Sequence, residues 1–317
     1  MCKPTYYRVE YSINPWMNPS ENPVDRTLAM YQWNSLRLAI ETAGAIIDVM
    51  EPHGGEHLPD MVFAANAAII RGKKAYLANF QCVERKNERH FYKKWLQAHG
   101  YETFGSMDYA FEGEGDARWV GRNQSKLVCG VGARTDARII SDLKDKMKTD
   151  SQDFKAIALK LVDPRFYHLE TCFCPLAEDL ALWYPDAFDS VAQHNLKQEM
   201  EMVPAIALKL VDPRFYHLET CFCPLAEDLA LWYPDAFDSV AQHNLKQEME
   251  MVPISEADAT KFACDAVVVG KNVILNKGAD DTGKTLQRLG FIPNFVDLSE
   301  FIKGGGSSKN LALTLTM

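Results

Sequence analysis

The sequence lacks the features that place a chain in a membrane, outside the cell or on nucleic acid. No apolar run approaches the ~20 residues that a membrane-spanning helix needs. The first residues, Met1 to Thr5, lead into polar and aromatic sequence rather than an apolar signal core, so export is not expected. Basic residues are in the minority, and the formal charge of −9 disfavours a nucleic-acid partner. We therefore expect a cytoplasmic protein that binds neither membrane nor nucleic acid.

Cysteine is too sparse for a disulfide framework, with eight in 317 residues, so reduced thiols are expected. Cys172 and Cys174, copied as Cys221 and Cys223, form two Cys-x-Cys pairs whose side chains would share one face of an extended segment. That spacing is compatible with zinc, but the second pair exists only because its segment is copied. Small buried residues in a strand are the favoured interpretation, and we expect no metal and no cofactor.

A perfect tandem repeat is the most prominent feature that is present. Residues 156–204 and 205–253 are identical over 49 positions, and the second copy holds three basic and eight acidic residues, or −5 of the formal charge. Solenoid repeats drift in sequence and need about three or more units, so this repeat indicates a recent duplication or an artificial or erroneous joining. We expect one domain over residues 1–317 with one copy as an insertion. Unless its apolar LALWY sequence packs, self-association follows; homo-oligomerisation is left open.

Short strands alternate with helices on both sides of the repeat. The unit is a strand, a tight turn, a strand, a helix and a further strand, and its use at least twice predicts an α/β fold. The first unit covers an apolar run at Met61–Ile70, a strand at Ala75–Phe80, a helix within Glu84–His99 and a strand from Tyr101. The last unit covers strands at 266–270, 273–276 and 291–296 and a helix at Asp281–Leu289. Ala156–Val162 and Leu180–Tyr184, with their copies, are predicted to be short buried strands.

Residues 278–285 fit the phosphate-binding pattern G-x-x-x-x-G-K-[ST] and follow a strand. Such a loop directs backbone N–H groups and positive charge at an anion, and the carboxylates of Asp280 and Asp281 would repel that anion. Asp281 or Thr282 capping an ordinary helix explains the same letters. A nucleotide site is therefore not expected here.

Five polar islands lie inside or beside apolar, strand-like sequence. They are Asn14 in INPWM, residues 60–66 (DMVFAAN), residues 111–116 (FEGEGD), residues 168–170 (HLE, copied at 217–219) and residues 303–311 (KGGGSSKNL). Taken singly, each is explained by structure; the three glycines at 304–306, for example, suit a flexible turn. Together and in this order they resemble the guanidino-group-modifying hydrolases. The branch they resemble most is arginine dihydrolase, within the superfamily that includes amidinotransferases, dimethylargininases and arginine deiminases.

The resemblance covers nearly the whole chain once one copy is discounted, and FEGEGDA, FYHLETCFCPL and EADATKFACDAV carry much of it. It implies a pentein, a five-fold pseudosymmetric α/β propeller of ββαβ-type units, and a hydrolase of C–N bonds in the guanidinium group of arginine or a close derivative. In that family a cysteine thiolate attacks the planar guanidinium carbon, a histidine transfers protons, and water hydrolyses the intermediate. By resemblance Glu112 orients the histidine, and that histidine is His168 or His217.

The resemblance also implies a set of substrate-binding residues: Asn14, Asp60, Phe63, Asn66, Arg85, Arg134, Glu170 and Glu219. Arg85 and Arg134 match arginines that hold the substrate α-carboxylate. Glu170 or Glu219 stands where the family normally has an aspartate that holds the guanidinium. Asn66 is typical of the dihydrolase branch, whereas deiminases and dimethylargininases have an acid there. An amide is compatible with a second hydrolysis, which would give ornithine, ammonia and carbon dioxide.

One position departs from the family pattern, because Asn310 occupies the place of the nucleophilic cysteine. An amide nitrogen is not nucleophilic at neutral pH, so we expect covalent catalysis to be absent or nearly absent. Three explanations remain open: engineered removal of the nucleophile, a natural pseudoenzyme that binds arginine, and a damaged gene product. Dimethylargininase or arginine deiminase activity is the alternative reaction. The expected partner in every case is a small guanidino compound.

Overall fold

The computed structural model describes residues 1–14, 16–149, 153–177, 180–199, 205–207, 210–215 and 217–315. Pro15 of INPWM lies outside the described residues, as do residues 178–179, 200–204, 208–209 and 216 of the two copies. Within the described ranges, no helix combines the length and the apolar character that crossing a bilayer requires.

The N-terminal segment forms a β–α–β unit. Cys2 and Met50 pair in a parallel bridge, and helix α1 (Arg26–Thr42) connects the two extended segments. Asp25 caps α1 because its carboxylate accepts hydrogen bonds from two backbone N–H groups of the first turn. The helix buries Trp33 and other apolar side chains from one face, which anchors it to the rest of the molecule.

Five three-stranded sheets follow within the described residues, and each has an antiparallel hairpin, a helix and a third strand parallel to the second. Sheet 1 comprises β1 (Ala68–Arg71), β2 (Lys74–Leu77), α2 (Glu88–Ala98) and β3 (Glu102–Phe104). Sheet 2 comprises β4 (Ala117–Val120), β5 (Lys126–Val131), α3 (Ile139–Met147) and β6 (Lys155–Lys160). Sheet 3 comprises β7 (Phe173–Ala177), β8 (Leu180–Trp183), α4 (Ser190–Glu199) and β9 (Ala205–Ala207).

Sheets 4 and 5 repeat this plan with short additional helices. Sheet 4 follows α5 (Leu218–Cys221) and comprises β10 (Phe222–Ala226), β11 (Leu229–Trp232), α6 (Ser239–Glu248) and β12 (Glu250–Pro253). Sheet 5 follows α7 (Glu256–Ala259), comprises β13 (Val267–Val269), β14 (Asn272–Asn276), α8 (Asp280–Arg288) and β15 (Ile292–Val296), and precedes α9 (Ser299–Ile302). The predicted α/β fold of ββαβ units is therefore confirmed. Gly72 and Gly270 provide the left-handed residue of the hairpin turns in sheets 1 and 5, with φ of 55° and 57°.

Hydrophobic clusters join the units in a closed order. The N-terminal unit packs on sheet 1, sheet 1 on sheet 2, and sheet 2 on sheet 3. A single cluster then joins Leu182 of sheet 3 to sheets 4 and 5. Ile274 and Val296 of sheet 5 pack with Trp33 of α1, which returns the order to the N-terminal unit. The segments between successive units therefore lie around a common centre.

The duplication has the period of one sheet unit. Strand β6 and strand β9 are the same sequence in two copies, and each closes the sheet that precedes it by pairing in parallel with β5 or β8. Each copy thus supplies the hairpin and helix of its own sheet, sheet 3 or sheet 4. Trp183 and Trp232 of the two LALWY segments are both 1% exposed, so this apolar sequence packs in both copies. The expectation of one domain with one copy as an insertion stays a prediction.

Two local predictions need correction. The apolar run Met61–Ile70 is not one strand, because 3-10 turns at Pro59–Val62 and Ala64–Ala67 precede β1; a buried turn needs apolar residues as much as a buried strand does. Neither Asp281 nor Thr282 caps α8, whose N-cap residue is Ala279. The carboxylate of Asp258 accepts the backbone N–H and the hydroxyl of Thr282, each at 2.6 Å.

Two other sequence features have a structural explanation. The carboxylate of Asp258 lies at the N-terminus of α8, where a phosphate-binding loop would hold its anion. Cys174 and Cys223 lie in β7 and β10, and Cys172 and Cys221 are buried directly before those strands. No cluster of three or more His, Cys, Asp or Glu residues suited to a metal ion occurs among the described residues.

Candidate active site

One cleft gathers the predicted site residues, although they come from seven separate parts of the chain. It holds about 580 Å³ of empty space. The predicted residues that line it are Asn14, Asp60, Phe63, Asn66, Arg85, Arg134, His168, Glu170, His217, Glu219 and Asn310. Glu112, the remaining predicted residue, is fully buried behind His168. The sequence islands therefore meet in space.

An acid–histidine pair lies at one side of the cleft. The His168 Nε2 atom is 3.0 Å from Glu112 Oε2, and Arg134 Nη1 donates to the same carboxylate oxygen at 3.4 Å. The backbone N–H of Gln81 donates to the other oxygen at 3.0 Å. These three contacts fix the orientation of the Glu112 carboxylate and, through it, the ring of His168.

The pair favours the charged state of both partners. Burial raises the pKa of Glu112, but the hydrogen bond and charge of His168, together with Arg134, outweigh burial and lower that pKa to about 2. Burial lowers the pKa of His168, but the charges of Asp116, Glu112 and Glu170 outweigh it, and the net shift is upward. His168 is therefore suited to donate a proton and to return to the protonated state.

The FEGEGD segment depends on its glycines for close packing against Asn66. Gly113 has φ of 60°, and a Cβ atom there would lie 2.3 Å from the backbone oxygen of Asn66. A Cβ atom on Gly115 would lie 2.6 Å from Asn66 Nδ2 and 3.4 Å from His168 Nδ1. Glycine at both positions therefore lets Asn66, which is 5% exposed, lie beside the histidine.

A second layer of acids supports the same segment. The Asp116 carboxylate accepts the hydroxyl of Thr135 at 2.6 Å and the backbone N–H of Leu169 at 3.0 Å, which ties the residue after His168 to sheet 2. Burial raises the pKa of Asp116 to about 6 and that of Glu114 to about 7. Neither acid is among the residues that line the cleft, so we treat both as structural supports.

The two predicted carboxylate-binding arginines have internal partners. Arg85 is buried and donates from Nε and Nη2 to the carboxylate of Glu88, at 2.7 and 2.8 Å. Arg134 donates to Glu112 and, from Nη2, to the carbonyl oxygen of Ile13 at 2.8 Å. Glu88 was not predicted from the sequence. Its spacing of three residues from Arg85 is the only signal, and such pairs usually lie on exposed helix faces.

Asp60 and Asn14 shape the cleft in different ways. Tyr11 donates to Asp60 Oδ2 at 3.0 Å, whereas Asp60 Oδ1 is buried without a hydrogen-bond partner among the described residues. The Asn14 side chain forms hydrogen bonds with the backbone. Its Oδ1 atom accepts from two N–H groups of its own turn, and Nδ2 donates to the carbonyl oxygen of Gly304 at 3.1 Å. The glycine-rich turn packs on Phe63, which leaves no room for a Cβ atom at Gly306.

Glu170 follows His168 and faces the cleft with a basic partner. Arg118 donates from Nη2 to Glu170 at 2.7 Å, and Glu170 Oε1 is 3.8 Å from His168 Nδ1. Arg118 was missed from the sequence because nothing in the pattern of β4 distinguishes it from an ordinary strand arginine. The carboxylate of Glu170 is the acid of the first copy that is nearest to the histidine.

Position 310 lies in a short helical turn, Ser308–Leu311. Asn310 Oδ1 accepts the backbone N–H of Ser307 at 3.0 Å, so its amide caps this turn. The neighbouring Lys309 is partly buried, and the charges of Cys223, Asp265 and Glu219 outweigh its desolvation and raise its pKa. Asn310 also borders a smaller adjoining cavity of about 360 Å³, whose other lining residues include His217, Glu219 and Asp265.

The second copy repeats the histidine and acid in a different environment. His217 Nε2 is 3.3 Å from the carbonyl oxygen of Arg165, and burial lowers the pKa of His217 to about 4. Burial and the nearby charges of Glu170 and Asp265 raise the pKa of Glu219. Identical sequence therefore gives a histidine with a raised pKa in the first copy and one with a lowered pKa in the second.

Comparison with protein families and curated proteins gives consistent matches. A family model for eukaryotic N,N-dimethylarginine dimethylhydrolases matches residues 11–203. The bifunctional arginine dihydrolase/ornithine cyclodeaminase of Nostoc sp. is 33% identical over 317 residues, which is 100% of this chain and 37% of that protein. The chain thus spans little more than a third of this relative. The N(G),N(G)-dimethylarginine dimethylaminohydrolase of Mycobacterium tuberculosis is 32% identical, with 99% of this chain and 84% of that protein covered.

Solved structures give the same result. The N-terminal domain of ArgZ, an arginine dihydrolase from cyanobacteria, has been solved with its product and has a TM-score of 0.68. It is 30% identical, and the match covers 100% of this chain and 96% of that chain. A dimethylarginine dimethylaminohydrolase adduct has a TM-score of 0.57 at 18% identity, covering 92% of each chain, and shows the shared fold alone.

Proposed function

Because the chain belongs to the dimethylarginine dimethylaminohydrolase family of guanidino-modifying enzymes, within its arginine dihydrolase branch, we propose that the central cleft binds L-arginine and is built for its hydrolysis to ornithine. The observation that carries the proposal is the 3.0 Å contact between Glu112 and His168, in a cleft that Asn66 and position 310 also line. This is the base-and-orienting-acid arrangement that covalent catalysis requires.

The charges of the cleft suit arginine. A guanidinium group is planar and permanently charged, and Glu170 offers a carboxylate that is 9% exposed at the side chain. The substrate α-carboxylate is assigned to Arg134 and Arg85, which bring positive charge to the lining of the cleft. Asp60 Oδ1 has an open acceptor position suited to the substrate α-amino group.

The proposed reaction converts arginine and two waters to ornithine, two molecules of ammonia and carbon dioxide. A nucleophile at position 310 attacks the guanidinium carbon, and His168 donates the proton that the first ammonia carries away. His168 then accepts a proton from the water that attacks the covalent intermediate, which leaves the ureido compound in the cleft. A second attack and hydrolysis at the same carbon uses the second water and releases the second ammonia, carbon dioxide and ornithine. Glu112 keeps the imidazole ring oriented and supports its charge throughout these transfers.

In this chain the first step has no nucleophile, because Asn310 is an amide that also caps its own turn. We therefore infer arginine binding without turnover. Binding should raise the melting temperature, and above the dissociation constant the increase should grow with the logarithm of ligand concentration. Citrulline and an unrelated cationic amino acid, lysine, serve as matched ligands that lack the charged guanidinium.

Asn310→Cys tests the reaction directly. We would incubate the unchanged protein, Asn310→Cys and Asn310→Ala with arginine and quantify ornithine, citrulline and ammonia. The proposal expects ornithine from Asn310→Cys alone, with about two molecules of ammonia for each ornithine. Asn310→Ala loses the same turn-capping hydrogen bond as Asn310→Cys, so it controls for structural effects. Arginine binding to a folded Asn310→Cys without any product would reject the proposed reaction.

Dimethylarginine dimethylaminohydrolase or arginine deiminase activity is the second candidate, and Asn66 is the observation that separates the reactions. Its amide lies beside Gly115 and His168, where an acid would hold the guanidinium more selectively than an amide. Within the Asn310→Cys protein, Asn66→Asp should shift the product from ornithine toward citrulline. Citrulline from Asn310→Cys alone, or from dimethylarginine in preference to arginine, would favour the second candidate. Ornithine output that Asn66→Asp leaves unchanged would remove Asn66 from this role.

A further inference from the structure

We propose that the duplicated segment divides the catalytic constellation between its two copies, so that His168 serves Glu112 while His217 serves position 310. The inference rests on the proposed function for the roles of these residues. A histidine in covalent catalysis must contact both the nucleophile and the acid that orients it. In this chain we assign those two roles to different histidines.

The order of the sheets produces the division. Glu112 precedes sheet 2, His168 precedes sheet 3, His217 precedes sheet 4, and position 310 follows sheet 5. Hydrophobic clusters connect the sheets in that same order. The additional sheet unit therefore lies between the element that carries Glu112 and the element that carries position 310.

The contacts of the first copy are made to the Glu112 side. His168 is 3.0 Å from Glu112, and the backbone N–H of the next residue, Leu169, donates to Asp116 at 3.0 Å. Arg118, from β4 of sheet 2, donates to Glu170. Each of these three partners belongs to the FEGEGD segment or to the strand that follows it.

The second copy shares a cavity with position 310. The His217 ring contacts the carbonyl oxygen of Arg165, which belongs to the first copy, and not Glu112. Both histidines line the main cleft with Asn310. Only His217 also lines the smaller adjoining cavity, together with Glu219, Asp265 and Asn310. The Cys223 Sγ atom also contacts the carbonyl oxygen of Ala266 in sheet 5 at 3.7 Å.

The reactivity of a thiol at position 310 tests the division without needing arginine. The protein would carry Asn310→Cys, alone or with His168→Asn or His217→Asn, and iodoacetamide alkylation of that thiol would be followed from pH 5 to pH 10 by mass spectrometry. Glu219, Asp265 and Lys309 also face this region, but they are the same in all three proteins. A change of one unit in thiol pKa alters the thiolate fraction about tenfold below that pKa.

The proposal expects His168→Asn to leave the alkylation profile of Cys at 310 unchanged and His217→Asn to alter it. A profile that responds to His168→Asn, to both substitutions or to neither would overturn the division. Removing residues 205–253 adds a second measurement, because deletion of either copy yields the same 268-residue sequence. With Asn310→Cys, the shortened chain should form ornithine at least about a hundredfold faster than the full chain, since one histidine then serves both partners.

Failure of the two proposals is distinguishable. If alkylation responds to His217→Asn alone but neither chain forms ornithine, the proposed function is rejected and the division is still supported. Equal ornithine formation by the full and shortened chains supports the proposed function and rejects the division. If the shortened chain does not fold, the alkylation profiles of the full chain still decide.

Discussion

Glu112 is the residue on which the electrostatics of the site depend. Its carboxylate is buried and receives His168, Arg134 and a backbone N–H, so Glu112→Gln would leave two cationic side chains with a neutral partner. Breaking a buried ion pair by removing one partner costs about 3–5 kcal/mol. We expect a loss of this size in the free energy of unfolding at pH 5.5, measured by guanidinium chloride denaturation.

The pH dependence of that loss follows from the two pKa shifts. The Glu112 pKa is lowered to about 2, so its contribution exists above the unfolded value of about 4.3 and is lost as pH falls toward 2. The His168 pKa is raised, so its contribution exists below about 6.5 and is lost as pH rises through the folded value. The loss should therefore be largest between about pH 4.5 and 6.5. Glu114→Gln is the control, because its raised pKa of about 7 makes it largely neutral at pH 5.5; an equal loss there would contradict the assignment.

Gly113 carries a steric prediction. A Cβ atom would lie 2.3 Å from the backbone oxygen and 2.6 Å from the backbone carbon of Asn66, at a φ of 60°. Gly72 has a φ of 55° and nothing within 4 Å of the same atom. Gly72→Ala should cost about 1–2 kcal/mol from backbone conformation alone. Gly113→Ala should cost roughly a further 1–3 kcal/mol from overpacking and should lower arginine affinity. Equal melting temperatures of the two variants would contradict this account.

The candidate site was predictable at the residue scale wherever residue type and local motif suffice. Asn66 and His168 stood out because they lie inside or beside apolar sequence. Asn310 stood out because the family resemblance puts it at the position of the nucleophile, and the structure places all three at one cleft. Glu88 was not predictable, since its pairing with Arg85 depends on a turn that buries both. Asp265 was not predictable either, because only the arrangement of sheets 4 and 5 brings it to Glu219 and Lys309.

At the scale of single elements, helix α8 shows how a cap can come from a distant part of the chain. Its N-terminal turn receives the carboxylate of Asp258, 24 residues earlier in the sequence. Asp258→Ala would leave the buried hydroxyl and N–H of Thr282 without this acceptor. We expect a loss of about 2–3 kcal/mol in the free energy of unfolding, from the lost cap and the unsatisfied donors.

Asp281→Ala is the matched control for this helix. Asp281 lies in the first turn of α8, is largely exposed, and pairs with Lys284 on the surface at 2.7 Å. Surface ion pairs add little to stability, so urea denaturation should detect no loss. If Asp281→Ala destabilised the protein as much as Asp258→Ala, the helix would depend on local charge rather than on the distant cap.

The same contrast explains which elements the sequence predicted well. The helix of sheet 5 and its flanking strands agree with prediction to within one or two residues at each end. The segment Met61–Ile70 did not, because hydrophobicity reports burial and does not distinguish a buried strand from buried turns. A proline at position 59, which begins the first 3-10 turn, was the available signal.

At the scale of the whole molecule, the two copies allow the same residue to be compared in two different surroundings. Trp183 and Trp232 occupy equivalent positions in sheets 3 and 4, and both are 1% exposed. Trp183 packs in the cluster shared with sheet 2, whereas Trp232 packs in the cluster shared with sheet 5. The sequence could not predict this, because identical residues carry no information about which neighbours each copy acquires.

If both copies belong to one cooperative structure, Trp183→Ala and Trp232→Ala should each lower the free energy of unfolding by about 3–5 kcal/mol. Val191→Ala and Val240→Ala are the controls, since these equivalent positions are 63% and 64% exposed and should change stability little. Unfolding would be followed by circular dichroism in guanidinium chloride. If Trp183→Ala lowers the free energy of unfolding and Trp232→Ala does not, the second copy lies outside the cooperative unit and is an insertion. The reverse result would assign that status to the first copy, and two equal losses would place both sheets within one folded ring.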